Sequence, residues 1–454
     1  MSVSEILTNQ PIPDVAGVPL LGNTLAMVKD PARFFLDSYR KYGPVYRINI
    51  LGKHYTTIAG AEAANFMSSR EGKDSLRSKE FWQGLIKEFS AHSSLPGTDG
   101  EEHRKLREVL RHGYSKESIK GRYNELVKIT DGSIERDWPT GRFVPAVEAM
   151  QFMVTDQLGT ILTGQAPLDY VKDIRTTILY ILNVLVTRQR PNFFLWNPAY
   201  QRAKQRVFEL GRKMIADWRS HKGPRDPERR TLTDDVMEAN LRDPELMPEH
   251  NLILHCVAPY VAGLDTVANT TAAIVYTVLK HPQVLARVHK EVDELFANGE
   301  IEEEKLLHRI PVLNGAIMET MRLYPIAVAQ MRTANKDFVF EGHQIREGQM
   351  LYVATSVPHF MPEFYPDPEK FDIERYEKPR AEHLQPGAYS PYGRGPHTCL
   401  GKSLAEIQIA LSVARVFYRL DLALEPAGYV LKTKTAPTPG PSMSFKVRVK
   451  GYRH

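Results

Sequence analysis

The segment "SPYGRGPHTCLGKSLAE", Ser390–Glu406, holds one of only two cysteines in a chain of 454 residues. Glycines surround Cys399, and an amphipathic helical pattern starts at residue 402. Gly395 and Gly401 permit tight turns and allow a flat ligand to approach the backbone. The N-terminus of the following helix would direct N–H groups and a partial positive charge towards the sulfur. Because such surroundings favour the thiolate over the thiol, the sequence predicts a loop that holds a Cys399 thiolate.

A thiolate in a protein commonly serves as a nucleophile, a zinc ligand or an iron ligand. Nothing near Cys399 identifies the base that a nucleophile needs, and no second cysteine lies at the spacing of a zinc site. A single thiolate suits an axial ligand of haem iron, because the porphyrin supplies the equatorial ligands. The remaining alternative is a small apolar packing residue, which the nearby glycines and the charges of Arg394 and His397 disfavour.

The pattern Tyr392-x-x-Gly395-x-x-x-Cys399-x-Gly401 resembles the haem-binding signature of the cytochrome P-450 superfamily. Tyr392 stands where that signature usually has a phenylalanine. The resemblance implies haem b (iron protoporphyrin IX) as cofactor, O2 as co-substrate and Cys399 as the proximal iron ligand. It also implies a mainly α-helical cytochrome P-450 fold with small antiparallel β-sheets. The haem would be buried between a long central helix and the helix that follows the cysteine loop.

The central helix is predicted at Leu252–Leu279, an apolar segment whose single charge is Asp265. Its length would suffice to cross a bilayer, but an acid at mid-membrane is costly, so we expect a core helix with a polar kink halfway. Its "AGLDT", residues 262–266, resembles the oxygen-activation motif of the same family. The resemblance implies that Thr266 hydrogen-bonds dioxygen and that Asp265 relays protons. From the residues alone, Thr266 bonding back to a helix carbonyl is the alternative.

Basic residues at four places match positions that the family directs at the haem propionates. His103 and Arg107 lie four apart on one predicted helix face, Arg332 lies on a predicted strand, and His397 precedes Cys399 by two residues. Buried carboxylates need such paired charge. The full set expected to contact the haem is His103, Arg107, Ala262, Gly263, Arg332, Tyr392, Gly393, His397, Cys399 and Gly401.

Family position also implies a distal substrate cavity with a mostly apolar lining, which suits a lipophilic molecule. The lining residues expected from the resemblance are Phe81, Trp82, Ile86, Ala258, Val328, Ala329 and Met443. A further match is structural: Glu319 and Arg322 of "ETMR", with Arg375 downstream, resemble the family's buried charged triad.

The bulk properties restrict the class of protein. A net charge of +5 is too small and too dispersed to indicate nucleic-acid binding. Two cysteines cannot form a disulfide framework, and the first residues lack the features of a signal peptide or a membrane anchor. We expect a soluble, monomeric, cytoplasmic protein of bacterial type with no transmembrane anchor. One cytochrome P-450 domain should span 1–454, with β-rich parts near 44–60, 329–356 and 421–454 and helical parts near 61–325 and 401–420.

The resemblance implies a monooxygenase that hydroxylates a fatty acid, terpenoid or steroid. We expect no reductase fused to the haem region, so electrons should come from a separate ferredoxin or flavodoxin. Arg394, His397 and Lys402 near the cysteine loop would attract such an acidic donor. The alternatives are a peroxide-driven haem-thiolate peroxygenase or isomerase, and a haem-based gas sensor. The pair Asp265–Thr266 favours the monooxygenase, because neither alternative needs a proton relay.

Overall fold

The computed structural model describes residues 11–187, 190–221, 223–224, 226, 229–299, 301 and 306–454. The α-helices in this part of the chain are α1 Thr24–Lys29, α2 Pro31–Tyr42, α3 Gly60–Ser68, α4 Arg70–Ser75, α5 Lys79–Glu88, α6 Gly100–Leu110, α7 Lys116–Ile119, α8 Tyr123–Asp137, α9 Ala146–Leu158, α10 Val171–Ile181, α11 Pro198–Ser220, α12 Leu232–Arg242, α13 Leu252–Lys280, α14 Pro282–Phe296, α15 Leu306–Arg309, α16 Pro311–Leu323 and α17 Lys402–Arg419. The strands are β1 Val45–Ile50, β2 Lys53–Ala59, β3 Leu76–Arg77, β4 Phe143–Pro145, β5 Gln330–Ala334, β6 Phe338–Phe340, β7 His343–Ile345, β8 Met350–Ala354, β9 Leu420–Ala423, β10 Thr433–Lys434, β11 Gly440–Pro441 and β12 Lys446–Tyr452.

Two compact units share the chain. The sheet unit consists of the chain up to Phe81 together with Met321–Cys399. The helical unit consists of Trp82–Thr320 together with Leu400–His454. That the whole chain forms one domain stays a prediction.

The sheet unit is built on a five-stranded sheet of order β1-β2-β8-β5-β3. Strand β2 pairs in parallel with β8, and the other neighbours in this sheet pair antiparallel. Successive residues of β1 enter different apolar clusters, since Tyr46 packs with Phe35 of α2 while Val45 packs with Met67 of α3. This alternation places one cluster on each face of the sheet, so both faces are buried.

The helical unit surrounds α13, which matches the predicted central helix almost residue for residue. It packs against α9, α10, α11, α12, α14 and α17. Among the described residues, α13 is the helix that is long and apolar enough to span a membrane. Of its most apolar window, 67% is buried inside the protein. Pro259 lies inside it, and the helix continues beyond this residue to Lys280. Its apolar character therefore belongs to the core of the unit.

Helix α17 confirms the pattern predicted after the cysteine loop. It begins at Lys402 and buries its apolar stripe, Leu404, Ile407, Leu411 and Ala414. Beyond it, β9 and β4 flank β12 in a three-stranded sheet, and β10 pairs with β11 in a short hairpin.

The predicted structural arginines are fully buried in the sheet unit. Arg322 donates to the carbonyl oxygens of His359 and Pro368, the latter at 2.7 Å. Arg375 donates to the Glu382 carboxylate at 2.9 Å and to the carbonyl oxygen of Asp367 at 2.9 Å. Both guanidinium groups therefore hold the long loop that leads to the cysteine segment.

Replacing Arg375 by alanine should lower the free energy of unfolding by about 3–5 kcal/mol, because it breaks a buried ion pair. Arg380 is the matched control, since it also pairs with Glu382, at 2.7 Å, but its side chain is 36% exposed against 1% for Arg375. Arg380→Ala should cost no more than about 1 kcal/mol. Urea unfolding of both variants measures the difference, and equal losses would contradict the structural role given to Arg375.

Candidate active site

The cysteine loop is closed by its own backbone. The Cys399 N–H donates to the Tyr392 carbonyl oxygen at 2.9 Å, and the Thr398 N–H donates to the Gly395 carbonyl oxygen at 3.1 Å. The Cys399 side chain is exposed and takes no part in a disulfide. Both bonds join main-chain atoms, so neither requires a particular side chain at residue 399.

Two glycines are required by the backbone of this loop. Gly393 has φ +70° and Gly395 has φ +75°, values that favour glycine. A Cβ atom at Gly395 would collide with the carbonyl oxygen of Met67, and one at Gly393 with the Gln330 side chain. The chain turns at Gly401 as expected, but Gly401 has φ −80°, which other residues adopt readily, so this turn does not require glycine.

Residues of the sheet unit surround this loop, and Gln330 is one that sequence reasoning missed. Arg332 is buried on β5, where it donates to the Gln330 side-chain oxygen and to the Met331 carbonyl oxygen, both at 2.7 Å. Gln330 also lies against Gly393. The predicted propionate residue Arg332 and the cysteine loop are thus brought together through Gln330. The signal was available, because residues two apart on a strand share a face.

His397 contacts Ser78, another residue of the sheet unit. Its Nε2 is 3.4 Å from the hydroxyl oxygen of Ser78, and Ser78 is buried. This contact holds the ring next to the segment that links β3 to α5.

The start of the cysteine loop is anchored by His359, another residue that sequence reasoning missed. Burial lowers the pKa of His359 to about 3, so its ring is neutral, and its Nε2 accepts the Ser390 N–H at 3.1 Å. Arg394 donates to the Ser390 hydroxyl and to the Tyr389 carbonyl oxygen, both at 2.8 Å. These two bonds hold the Arg394 guanidinium within its own loop, and because both acceptors are neutral the group keeps its charge.

The helical unit holds the other predicted residues, and α13 contributes most of them. Ala262 is exposed in the middle of this buried helix, and Ala258, Gly263 and Thr266 are partly exposed. The Thr266 hydroxyl donates to the Ala262 carbonyl oxygen at 2.7 Å, which is the helix back-bond that the sequence analysis gave as the alternative. Its oxygen can still accept a hydrogen bond. One stripe of small side chains therefore faces accessible space.

Asp265 is buried beside this stripe and contacts groups from three other elements. The Gln151 amide of α9 donates to its Oδ1 at 2.6 Å. Arg175 of α10 brings Nε to 3.6 Å from Oδ1, and Lys434 of β10 brings Nζ to 3.8 Å from Oδ2. Burial lowers the pKa of Lys434, and the Asp265 carboxylate opposes this effect. None of these three partners was identified from the sequence.

The remaining predicted residues have varied surroundings. His103 is buried and Arg107 half-buried, four apart on α6 as predicted. Gly263 faces Leu158 of α9, so its small size also serves helix packing. Trp82 and Ile86 lie around Gly97, one turn apart on α5. Of the predicted pocket residues, Phe81, Ile86 and Val328 are buried, whereas Trp82, Ala258, Ala329 and Met443 are partly exposed.

Cys256, the second cysteine, is a packing residue. It is buried in α13, and burial raises the pKa of its thiol to about 12. Of the two cysteines, Cys399 is the exposed one. An exposed thiol on a loop that glycines keep narrow suits the axial thiolate ligand of a flat cofactor.

Comparison with known proteins agrees with these observations. A family model for cytochrome P450 matches residues 12–444. The chain is 25% identical to a putative cytochrome P450 120 of Synechocystis, over 98% of each protein. It is 27% identical to a cyclooctat-9-en-7-ol 5-monooxygenase of Streptomyces melanosporofaciens, over 90% of this chain and 89% of that protein. A 36% identical match to a sterol 14alpha-demethylase of Mycolicibacterium vanbaalenii covers 37% of this chain and 38% of that protein.

A solved structure, retinoic acid-bound cyanobacterial CYP120A1, superposes with a TM-score of 0.82 at 24% identity, over 97% of this chain and 99% of that one. The predicted fold, mainly α-helical with small antiparallel sheets, is therefore confirmed. The family consists of haem-thiolate enzymes that use haem b and O2, which confirms the predicted cofactor and co-substrate. The chain belongs to the cytochrome P450 family and is an oxidoreductase of the monooxygenase type.

Proposed function

We propose that this cytochrome P450 hydroxylates a lipophilic small molecule of the fatty acid, terpenoid or steroid class, with electrons from a separate protein. The observation that carries the proposal is the buried Asp265 carboxylate next to Thr266 in the middle of α13. A buried carboxylate at this point is useful to an enzyme that must deliver protons while it receives electrons. A peroxygenase or a gas sensor has no use for it.

Cys399 would hold the haem iron through its sulfur, and the basic residues would hold the propionates. When bound, the haem supplies the activation of O2 and the oxidation of the substrate C–H bond. His103, Arg107, Arg332 and His397 would donate charge-assisted hydrogen bonds to the two carboxylates. Tyr392, Gly393, Gly401, Ala262 and Gly263 would lie against the macrocycle, where glycine and alanine leave room for it.

Asp265 and Thr266 would deliver the protons. Asp265 would take protons from solvent and hand them towards the Thr266 hydroxyl. Thr266 would hold a hydrogen bond at the reacting position, because its hydroxyl can turn away from the Ala262 carbonyl oxygen. Both residues act on protons alone, so neither is needed to bind the substrate.

The substrate class is supported by the apolar character of the proposed lining and by the names of the relatives. Phe81, Trp82, Ile86, Ala258, Val328, Ala329 and Met443 would form that lining. The names of the similar proteins mention a sterol, cyclooctat-9-en-7-ol and retinoic acid. All three are lipophilic. Such substrates gain most of their binding free energy from burial of apolar surface.

A screen of fatty acids, terpenoids and steroids for substrate-induced Soret shifts tests this proposal. We expect shifts with at least one of these classes and a hydroxylated product when reductant is supplied. Polar molecules of similar size serve as controls and should leave the spectrum unchanged. Shifts confined to the polar set would contradict the proposed lining.

The proposed electron donor is an acidic ferredoxin or flavodoxin in the cytoplasm of a bacterium, acting on a monomer of this chain. Lys402 is half exposed and lies 3.9 Å from Glu406, a pair that solvent screens. Steering by such exposed charges weakens with salt, so the rate of reduction should fall as ionic strength rises. Lys402→Gln should lower the rate at low salt and flatten its salt dependence. A rate independent of salt would contradict electrostatic docking.

A further inference from the structure

The two oxygens of the Asp265 carboxylate have different surroundings. Oδ1 accepts the Gln151 amide at 2.6 Å, whereas Oδ2 is buried and accepts no hydrogen bond from the described residues. Two partly buried cations also lie near the carboxylate, Arg175 from α10 on the side of Oδ1 and Lys434 from β10 on the side of Oδ2. Their distances of 3.6 and 3.8 Å exceed hydrogen-bond length, so their attraction is poorly directional.

Gln151 is therefore the group that fixes how the carboxylate is oriented. It is 2% exposed and lies on α9, which packs against α13. Its amide nitrogen must face Oδ1, because the amide oxygen would be repelled by a carboxylate. The short contact joins a neutral donor to a charged acceptor, a combination stronger than a neutral pair.

We propose that Gln151 is a positioning residue that commits Oδ1 of Asp265 and leaves Oδ2 as the oxygen that takes up and releases protons. The inference rests on the proposed relay function of Asp265. Uptake forms an O–H bond at Oδ2 as an O–H bond of a hydronium ion breaks and leaves water. Release breaks the Oδ2–H bond and passes the proton towards the Thr266 hydroxyl, so no electrons move. A glutamine suits this position because it does not titrate, while Arg175 and Lys434 lie 3.6 and 3.8 Å from the two carboxylate oxygens.

The first test compares Gln151→Leu with Gln157→Leu. Gln157 lies on the same helix, is 1% exposed and donates to Thr130 and Ser412, each at 2.9 Å, so its loss also breaks a buried network. A mispositioned acid should lose part of the ~10²–10⁴-fold benefit of general acid catalysis, so we expect about a 10-fold loss of product per reductant in Gln151→Leu. Gln157→Leu should keep wild-type coupling, and both variants should keep haem binding and substrate-induced shifts.

The second test asks whether Gln151 acts through Asp265. In an Asp265→Asn background the further change Gln151→Leu should have no additional effect, since the group it positions is gone. Suppose that Asp265→Asn lowers product formation and that Gln151→Leu lowers it further by the same factor as in the wild-type background. This result would overturn the positioning role. If Asp265→Asn alone has no effect, the proposed relay fails, which is a distinct result.

The third test uses the isosteric change Gln151→Glu. The introduced carboxyl would lie beside Asp265, facing Arg175 and Lys434, and two carboxyl groups this close share a proton. At acidic pH the protonated carboxyl can donate the original hydrogen bond, so coupling should approach that of the wild type and fall as pH rises. The wild type should show no such fall. A role in packing alone predicts no pH dependence, and that result would overturn the proposal.

Discussion

Cys399→His should abolish both the thiolate-type Soret band of the reduced carbonyl complex and all reductant-driven product formation. The imidazole can ligate iron, but it does not supply the electron density with which a thiolate favours O–O cleavage. The loop should keep its shape, because its closing bond runs from the Cys399 N–H to the Tyr392 carbonyl oxygen. The variant should therefore still bind haem, and the change in the spectrum should report ligation rather than unfolding.

Cys256→Ala is the matched control for this experiment. Cys256 is buried in α13 and its thiol is not available to a cofactor. The control should keep the thiolate-type band and lose only some stability, since a small cavity replaces the sulfur. A thiolate band that survives in Cys399→His would place the iron ligand elsewhere and refute the assignment.

The second large effect is expected at the pair of residues proposed to move protons. Asp265→Asn and Thr266→Ala should each lower product formation by up to ~10²–10⁴-fold, while haem binding, substrate shifts and first reduction stay nearly intact. Water can replace part of the proton pathway, so the loss of product formation in either variant should lie towards the lower end of this range. Asn keeps the shape of Asp265 and an oxygen to accept from Gln151, which limits structural damage.

The two variants should differ in what happens to the reductant. In Thr266→Ala the reductant should still be consumed while hydrogen peroxide appears in solution instead of product. In Asp265→Asn consumption itself should slow, because proton delivery is impaired. Reductant consumed, peroxide released and product formed are measured for each. Wild-type rate and coupling in both variants would reduce "AGLDT" to a structural feature of α13.

The sequence predicted the elements whose signals are local. Helix α13 was identifiable from a long apolar segment with a single charge, Asp265, and α17 from an apolar stripe that begins just after Gly401. The cysteine loop was recognised from glycines at fixed spacing around Cys399, although the structure assigns the required left-handed turns to Gly393 and Gly395. These features depend on neighbours within a few residues, so one sequence is enough to find them.

Partners that come from distant elements could not be predicted. Gln151 lies 114 residues before Asp265, and His359 lies 31 residues before Ser390, whose N–H it accepts. Nothing in the local pattern of α9 indicates that one of its buried glutamines faces a carboxylate. Arg394 illustrates a related limit. The sequence showed its charge, but its contacts with Ser390 and Tyr389 depend on how the loop folds.

The central claim is that this chain is a monooxygenase driven by reductant and dioxygen. Its most direct test is turnover of a substrate found by Soret shift, with isotopically labelled dioxygen and a reductase system, compared with turnover on hydrogen peroxide alone. We predict product that carries one labelled oxygen atom and forms only when reductant is present, with a large loss in Asp265→Asn. Product that forms equally well from peroxide alone, at the same rate in Asp265→Asn, would contradict the claim and identify a peroxygenase.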